Sequence, residues 1–307
     1  MFSVIFPGQG SQIVGMGKEF YEKFDLVKDL FKKADDTLNF SLSKLILEGP
    51  KEDLDLTINT QPAIFLISYS IFQVVKNEFN INLNKAKYFA GHSLGEYSAL
   101  ASARAINFND AIKLLRLRGK SMQSAVPIGE GSMLVVLGKE IQEIEKIIKE
   151  YEIQDCEIAN DNSPGQVVVS GKSDAIKNFN QLLKKMTIKN MILPVSAPFH
   201  CYLMNKATEV MKKEIENTNF QDSKNILISN VTANEINSKD DLKRLLIDQI
   251  ENRVRWRESV INMIKKGVNQ FIEIGPGKVL SGLVKRIDKN VKINTINNEG
   301  DIKELKI

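Results

Sequence analysis

Gly91-His92-Ser93-Leu94-Gly95 constrains this chain more than any other stretch of its 307 residues, because it asks for one particular piece of backbone. Tyr88-Phe89-Ala90 before it is a short apolar run of strand character, and Glu96 to Ala103 after it is rich in helix formers and small side chains. A G-x-S-x-G between a strand and a helix is a nucleophile elbow, a sharp turn that exposes one serine hydroxyl at the top of a sheet. Chance alone produces the pattern in about one chain in ten of this length. The flanks therefore carry the inference, and the plain alternative is an ordinary tight turn with a solvated serine.

A serine hydroxyl is a feeble nucleophile at neutral pH, so the elbow needs a base within hydrogen-bonding reach and donors for a developing oxyanion. The chain has two histidines, His92 and His200. Adjacent side chains on a turn diverge, which leaves His200 as the candidate base for Ser93. It follows Val195-Ser196-Ala197-Pro198-Phe199, where a strand-like run from Met191 to Val195 gives way to a loop. A free imidazole in that role predicts a rate that rises with pH through one ionisation in the imidazole range. The backbone N–H of Leu94, the residue after the nucleophile, is the elbow's own oxyanion donor. Cys201, next to His200, is the alternative nucleophile, but it lacks an elbow.

The chain is long enough for one large domain or two smaller ones. Charged residues at 26% and apolar ones at 43% are ordinary for a soluble globular protein. No run of apolar residues reads as a membrane span, and Met1 to Phe6 is too short for a signal peptide, so a cytoplasmic location is expected. Cys156 and Cys201 are expected to be reduced thiols there. The formal charge of +4 suits anionic partners without demanding them. Gly8-Gln9-Gly10-Ser11-Gln12-Ile13 opens like a dinucleotide fingerprint, yet Ile13 stands where glycine is needed and no G-K-[ST] follows.

Periodicity places strands at Phe2 to Phe6 and Phe271 to Ile274 and helices at Thr60 to Phe79 and Asp110 to Gln123. Alternating strands and helices predict an α/β protein with a mostly parallel sheet, and the elbow makes the expected core α/β-hydrolase-like. Between Gly131 and Val195 the order changes. Strands at Ser132 to Leu137, Cys156 to Ala159, Gln166 to Ser170 and Met191 to Val195, with helices at Glu140 to Tyr151 and Ser173 to Met186, read as βαββαβ, a ferredoxin-like insert. The expected division is a discontinuous catalytic domain, 1–130 and 196–307, and a subdomain, 131–195.

Five motifs then occur in order: Phe6-Pro7-Gly8-Gln9-Gly10-Ser11-Gln12, Gly91-His92-Ser93-Leu94-Gly95-Glu96-Tyr97-Ser98-Ala99-Leu100, Arg118-Gly119-Lys120 with Met122-Gln123, Asn162-Ser163-Pro164-Gly165-Gln166 and Ile274-Gly275-Pro276-Gly277-Lys278-Val279-Leu280. Together they make the chain resemble the bacterial malonyl-CoA:acyl-carrier-protein transacylases along essentially its whole length. The resemblance implies ping-pong transfer of a malonyl group from malonyl-CoA to acyl carrier protein through a seryl ester, with no metal or redox cofactor and with neither nucleic acid nor membrane as partner. It implies Gln9 as the second oxyanion donor and a backbone carbonyl at Gln249 as the acceptor that orients His200, although Gln249 reads equally as an exposed helix glutamine. Arg116 and Arg118 share a helix, and the motif selects Arg118 to bind the malonyl carboxylate through its planar fork. The bulky Phe199 before His200 resembles the malonyl-selective members. Lys184, Lys185, Lys189, Lys285 and Arg286 are candidates for an acidic carrier protein by clustering alone. A thioesterase and a non-catalytic carrier-binding module are the alternatives.

Overall fold

The computed structural model describes residues 1–195 and 197–307, so Ser196, in the loop before His200, lies outside the described residues. Ten strands form two sheets among them: β1 Phe2–Phe6, β2 Tyr88–Gly91, β3 Gly131–Leu137, β4 Cys156–Ser163, β5 Gln166–Lys172, β6 Asn190–Ile192, β7 Ile226–Ile228, β8 Glu235–Ile236, β9 Gln270–Ile274 and β10 Lys292–Ile296. The larger sheet runs β10-β9-β1-β2-β7-β8, with every pairing parallel except the last. The smaller runs β4-β5-β3-β6, all antiparallel.

Alternation along the strands explains the layers. Val4 and Phe6 of β1 and Phe89 of β2 face one core, where Phe6, Phe72 and Phe89 meet edge-on or tilted. Ile5, Tyr88 and Ala90 face a second core with Trp256, Val260 and Phe271. A parallel sheet buried on both faces follows. In β3, Met133 and Val135 join the first core while Leu134 and Val136 face the small sheet's own helices, so the insert is cemented to the larger sheet by every second residue.

One helix, Thr57–Asn77, corrects the sequence reading that no segment suits a membrane: by length and composition it is able to cross one. It is instead a core helix, buried along nearly its whole length. The two largest differences in strand boundaries are at the ends of β4 and β6. β4 continues past Ala159 to Ser163 because Asp161 and Asn162, polar but buried, find partners there. β6 ends at Ile192, ahead of Pro194, which has no N–H to offer a ladder.

The register sets the site. Phe6 of β1 lies opposite Gly91 of β2, so the Gly-rich loop and the elbow leave the sheet side by side at its carboxyl edge. Ligands bind outside that edge in open α/β sheets.

Candidate active site

Ser93 adopts φ 52°, the left-handed region that L-residues other than glycine avoid. The turn closes because its flanks lack side chains. A Cβ on Gly91 would stand 2.0 Å from the Gly95 carbonyl carbon, and one on Gly95 would stand 2.3 Å from the Phe6 oxygen. Asn230, at the end of β7, locks the turn from below: its Oδ1 accepts from the Ser93 N–H at 2.7 Å and its Nδ2 donates to the Gly91 carbonyl at 2.7 Å.

His200 comes from the other side, with Nε2 2.8 Å from Ser93 Oγ and Nδ1 2.8 Å from the Gln249 carbonyl. A carbonyl only accepts, so Nδ1 carries the proton and Nε2 presents its lone pair to the serine hydroxyl. Gln249 is thus the orienting residue through its backbone, and it is fully buried at the end of the helix Lys239–Asp248. Burial, aided by the nearby Arg118 charge, drives the His200 pKa down to about 3. That downward shift runs against the expected imidazole-range ionisation and favours the neutral imidazole in the free protein. His92 turns away, with Nε2 2.8 Å from Asn162 Oδ1 and its ring against Trp256. Cys201 is buried, its thiol donates to the Pro198 carbonyl at 3.1 Å, and burial pushes its pKa up to about 11, which removes it as a nucleophile.

Arg118 is 1% exposed on the helix Phe108–Gln123. Its Nη1 donates to Gln61 Oε1 at 2.9 Å, and its Nη2 donates to Gln249 Oε1 at 2.8 Å and to Ser93 Oγ at 3.2 Å. Its Nε is buried and has no partner among the described residues. Arg116 points elsewhere, donating to Asn59 and stacking 4.0 Å over Phe40. Glu96 lies below, 1% exposed, and burial raises its carboxyl pKa to about 7.

A cavity of about 520 Å³ opens over these groups. Gln9, Ser93, Leu94, Arg118 and His200 line it, with Met122, Met133, Leu193 and Phe199 as apolar wall. Neither the Gln9 nor the Leu94 N–H donates to an acceptor among the described residues, as oxyanion donors require. None of the five clustered cations lines the cavity; the lysine on its wall is Lys51, paired with Asp55. Sequence reasoning missed Gln61 and Asn230. Each carried a faint signal, a polar residue in an apolar helix and an amide just past a strand end.

A serine on an elbow, a buried imidazole held by a carbonyl and two backbone donors without an acceptor among the described residues make an acyl-transfer site. The acyl transferase domain model matches residues 3–299, and the chain belongs to that family. Its relatives there are malonyl transacylases by name. The malonyl CoA-acyl carrier protein transacylase of Bacillus subtilis is 44% identical over 293 residues, 94% of this chain and 90% of that protein. The acyl-carrier-protein S-malonyltransferase of Bartonella henselae superimposes with a TM-score of 0.95 at 40% identity, covering 99% of this chain and 97% of that one. A malonyl-transacylase solved in complex with a type II polyketide acyl-carrier protein gives 0.94 at 38%, covering 98% and 97%.

Proposed function

We propose that this chain is a malonyl-CoA:acyl-carrier-protein transacylase that serves fatty-acid synthesis through a malonyl-Ser93 ester. The observation that carries the reading is Ser93 Oγ standing between a base and a carboxylate receptor, 2.8 Å from His200 Nε2 and 3.2 Å from Arg118 Nη2. In acylation, Ser93 Oγ attacks the thioester carbonyl of malonyl-CoA while His200 Nε2 takes the hydroxyl proton. The N–H groups of Leu94 and Gln9 receive the oxyanion, the carbon–sulfur bond breaks, and the imidazolium returns its proton to the CoA sulfur. The phosphopantetheine thiol of acyl carrier protein then gives its proton to His200 and attacks the ester, and Ser93 recovers that proton as it leaves. No step calls on a metal or redox cofactor. Arg118, which lines the cavity, holds the malonyl carboxylate with its guanidinium, and Phe199 narrows the pocket against larger acyl groups.

The same proposal reads 1–130 and 196–307 as an α/β-hydrolase-like catalytic domain, supported by the elbow after β2. It reads 131–195 as a ferredoxin-like subdomain, supported by the antiparallel order β4-β5-β3-β6. A cytoplasmic location accompanies it, and two unpaired, buried thiols suit a reducing compartment. Mass spectrometry after incubation with malonyl-CoA tests the reading. A malonyl adduct on the Ser93 peptide that Ser93→Ala abolishes, and that holo acyl carrier protein discharges faster than water does, is the expected result. An adduct elsewhere, or discharge by water alone, overturns it.

A further inference from the structure

Beneath the elbow lies a carboxyl group that the acyl-transfer steps do not use. Glu96, on the first turn of the helix Gly95–Ser102, is fully enclosed. Its Oε2 accepts from Gln249 Nε2 at 2.6 Å and from the Asn230 N–H at 3.3 Å. At the other end of the same amide, Gln249 Oε1 accepts from Arg118 Nη2 at 2.8 Å. We propose that Glu96 is a positioning residue: by holding Gln249 Nε2, it fixes the amide with its oxygen toward Arg118 and so aims the guanidinium that selects a carboxylate-bearing acyl group. This inference rests on the malonyl reading above.

The physical reason is that an amide has a donor end and an acceptor end. Arg118 only donates, and two donors converge on Glu96 Oε2, which makes that oxygen an acceptor. Turning the amide over would set Nε2 against Arg118 Nη2 and oxygen against oxygen at Glu96, two repulsive contacts between fully buried groups. Gln249 Nε2 also reaches the Ser93 carbonyl at 3.1 Å and Asn230 Oδ1 at 3.4 Å, so the orientation extends to the elbow. The acceptor at Glu96 makes the shortest of the three contacts.

Two substitutions separate reach from charge. Glu96→Gln keeps an acceptor oxygen at the same distance and removes the ionisable group; Glu96→Asp keeps the ionisable group one methylene too short. Steady-state kinetics with malonyl-CoA and acetyl-CoA, with thermal midpoints recorded for each protein, provide the readout. Glu96→Gln should hold the malonyl-to-acetyl ratio of kcat/KM within about threefold of wild type, while Glu96→Asp should lower it about tenfold or more, mainly through the malonyl-CoA KM. A ratio lost in Glu96→Gln, or a Glu96→Asp enzyme with an unchanged ratio or equal losses for both substrates, overturns the proposal. If Glu96→Asp fails to fold, the ratio in Glu96→Gln decides by itself. Wild-type enzyme without a malonyl preference overturns the malonyl reading instead, and is seen before any variant is made.

Discussion

Ser93 Oγ and His200 Nε2 stand 2.8 Å apart as a hydrogen-bonded pair, and Arg118 bears on both. Its buried charge is 3.2 Å from the nucleophile through Nη2 and is one of the causes that lower the His200 pKa, after burial itself. Only the neutral imidazole can accept the serine proton, so activity is lost as pH falls through the His200 pKa. Wild-type kcat/KM should therefore stay level in this ionisation from pH 8 to pH 5 and fall only in stronger acid. Arg118→Ala removes one lowering influence, so its acid limb should move up toward the ordinary imidazole value of 6.5 while staying below it. The same variant should lose about 30-fold to several thousand-fold in malonyl transfer, the equivalent of about 2 to 5 kcal/mol for a desolvated charge pair. Acetyl transfer escapes that loss because acetyl-CoA has no carboxylate to hold. Rate profiles measured on both substrates check both statements, and an unmoved acid limb would show that burial alone governs His200. Of these residues, Ser93 and His200 were readable from motif and scarcity. Gln61 and Asn230 were not, because a lone amide in a sequence does not say which hydrogen bond it completes.

Elements carry the site by close approach of backbone, and glycine is the means. Gly95 lets the helix Gly95–Ser102 start against β1, where an added Cβ meets the Phe6 and Pro7 carbonyl oxygens at 2.3 and 2.8 Å. Neither oxygen is a flexible side-chain end, so the helix must shift. Gly95→Ala should cost about 1 to 3 kcal/mol and displace the elbow, with acylation lost well before the fold is. Gly282, exposed in the helix Val279–Ile287, has open space where a Cβ would stand, with no atom within 4 Å, and Gly282→Ala should instead stabilise the protein by about 0.5 to 1 kcal/mol. Urea unfolding of the two variants beside wild type reads the opposite signs. Strand β1 and the helix after the elbow were legible from periodicity nearly to the residue. The continuation of β4 was not, because Asn160, Asp161 and Asn162 look like loop until their buried partners are known.

At the scale of the molecule, the two sheets are latched next to the cavity. Val254 donates to the Ala159 carbonyl and accepts from the Asp161 N–H, stitching β4 to the segment that leads into the helix Trp256–Lys265. On that helix Arg257 Nε bonds both Asp161 oxygens at 3.0 Å and its Nη1 reaches Glu140 at 2.9 Å. Burial raises the Asp161 pKa above its ordinary 3.8 despite the pull of Arg257. Arg257→Ala leaves that carboxylate buried and unpaired, a change that costs about 3 to 5 kcal/mol. A raised folded pKa means stability lost as pH rises, so the deficit should be widest at neutral pH and narrow as pH falls toward 3.8, where the unfolded chain also binds the proton. Unfolding curves at pH 7 and pH 5 test this; an equal deficit at both would mean that Arg257 acts through packing.

By itself the sequence determined what is local or periodic: the elbow, the α/β alternation, the βαββαβ order of the insert, and the choice of His200 from two histidines. These follow from spacing, which a linear chain displays. Tertiary structure alone decided which faces are covered and which polar groups meet. It turned a helix apolar enough for a membrane into the centre of a core, lowered the His200 pKa by enclosing it, and set Glu96 and Arg118 at the two ends of one amide. Burial and hydrogen-bond partnership are properties of neighbours brought together from far apart in the chain, so no local pattern contains them.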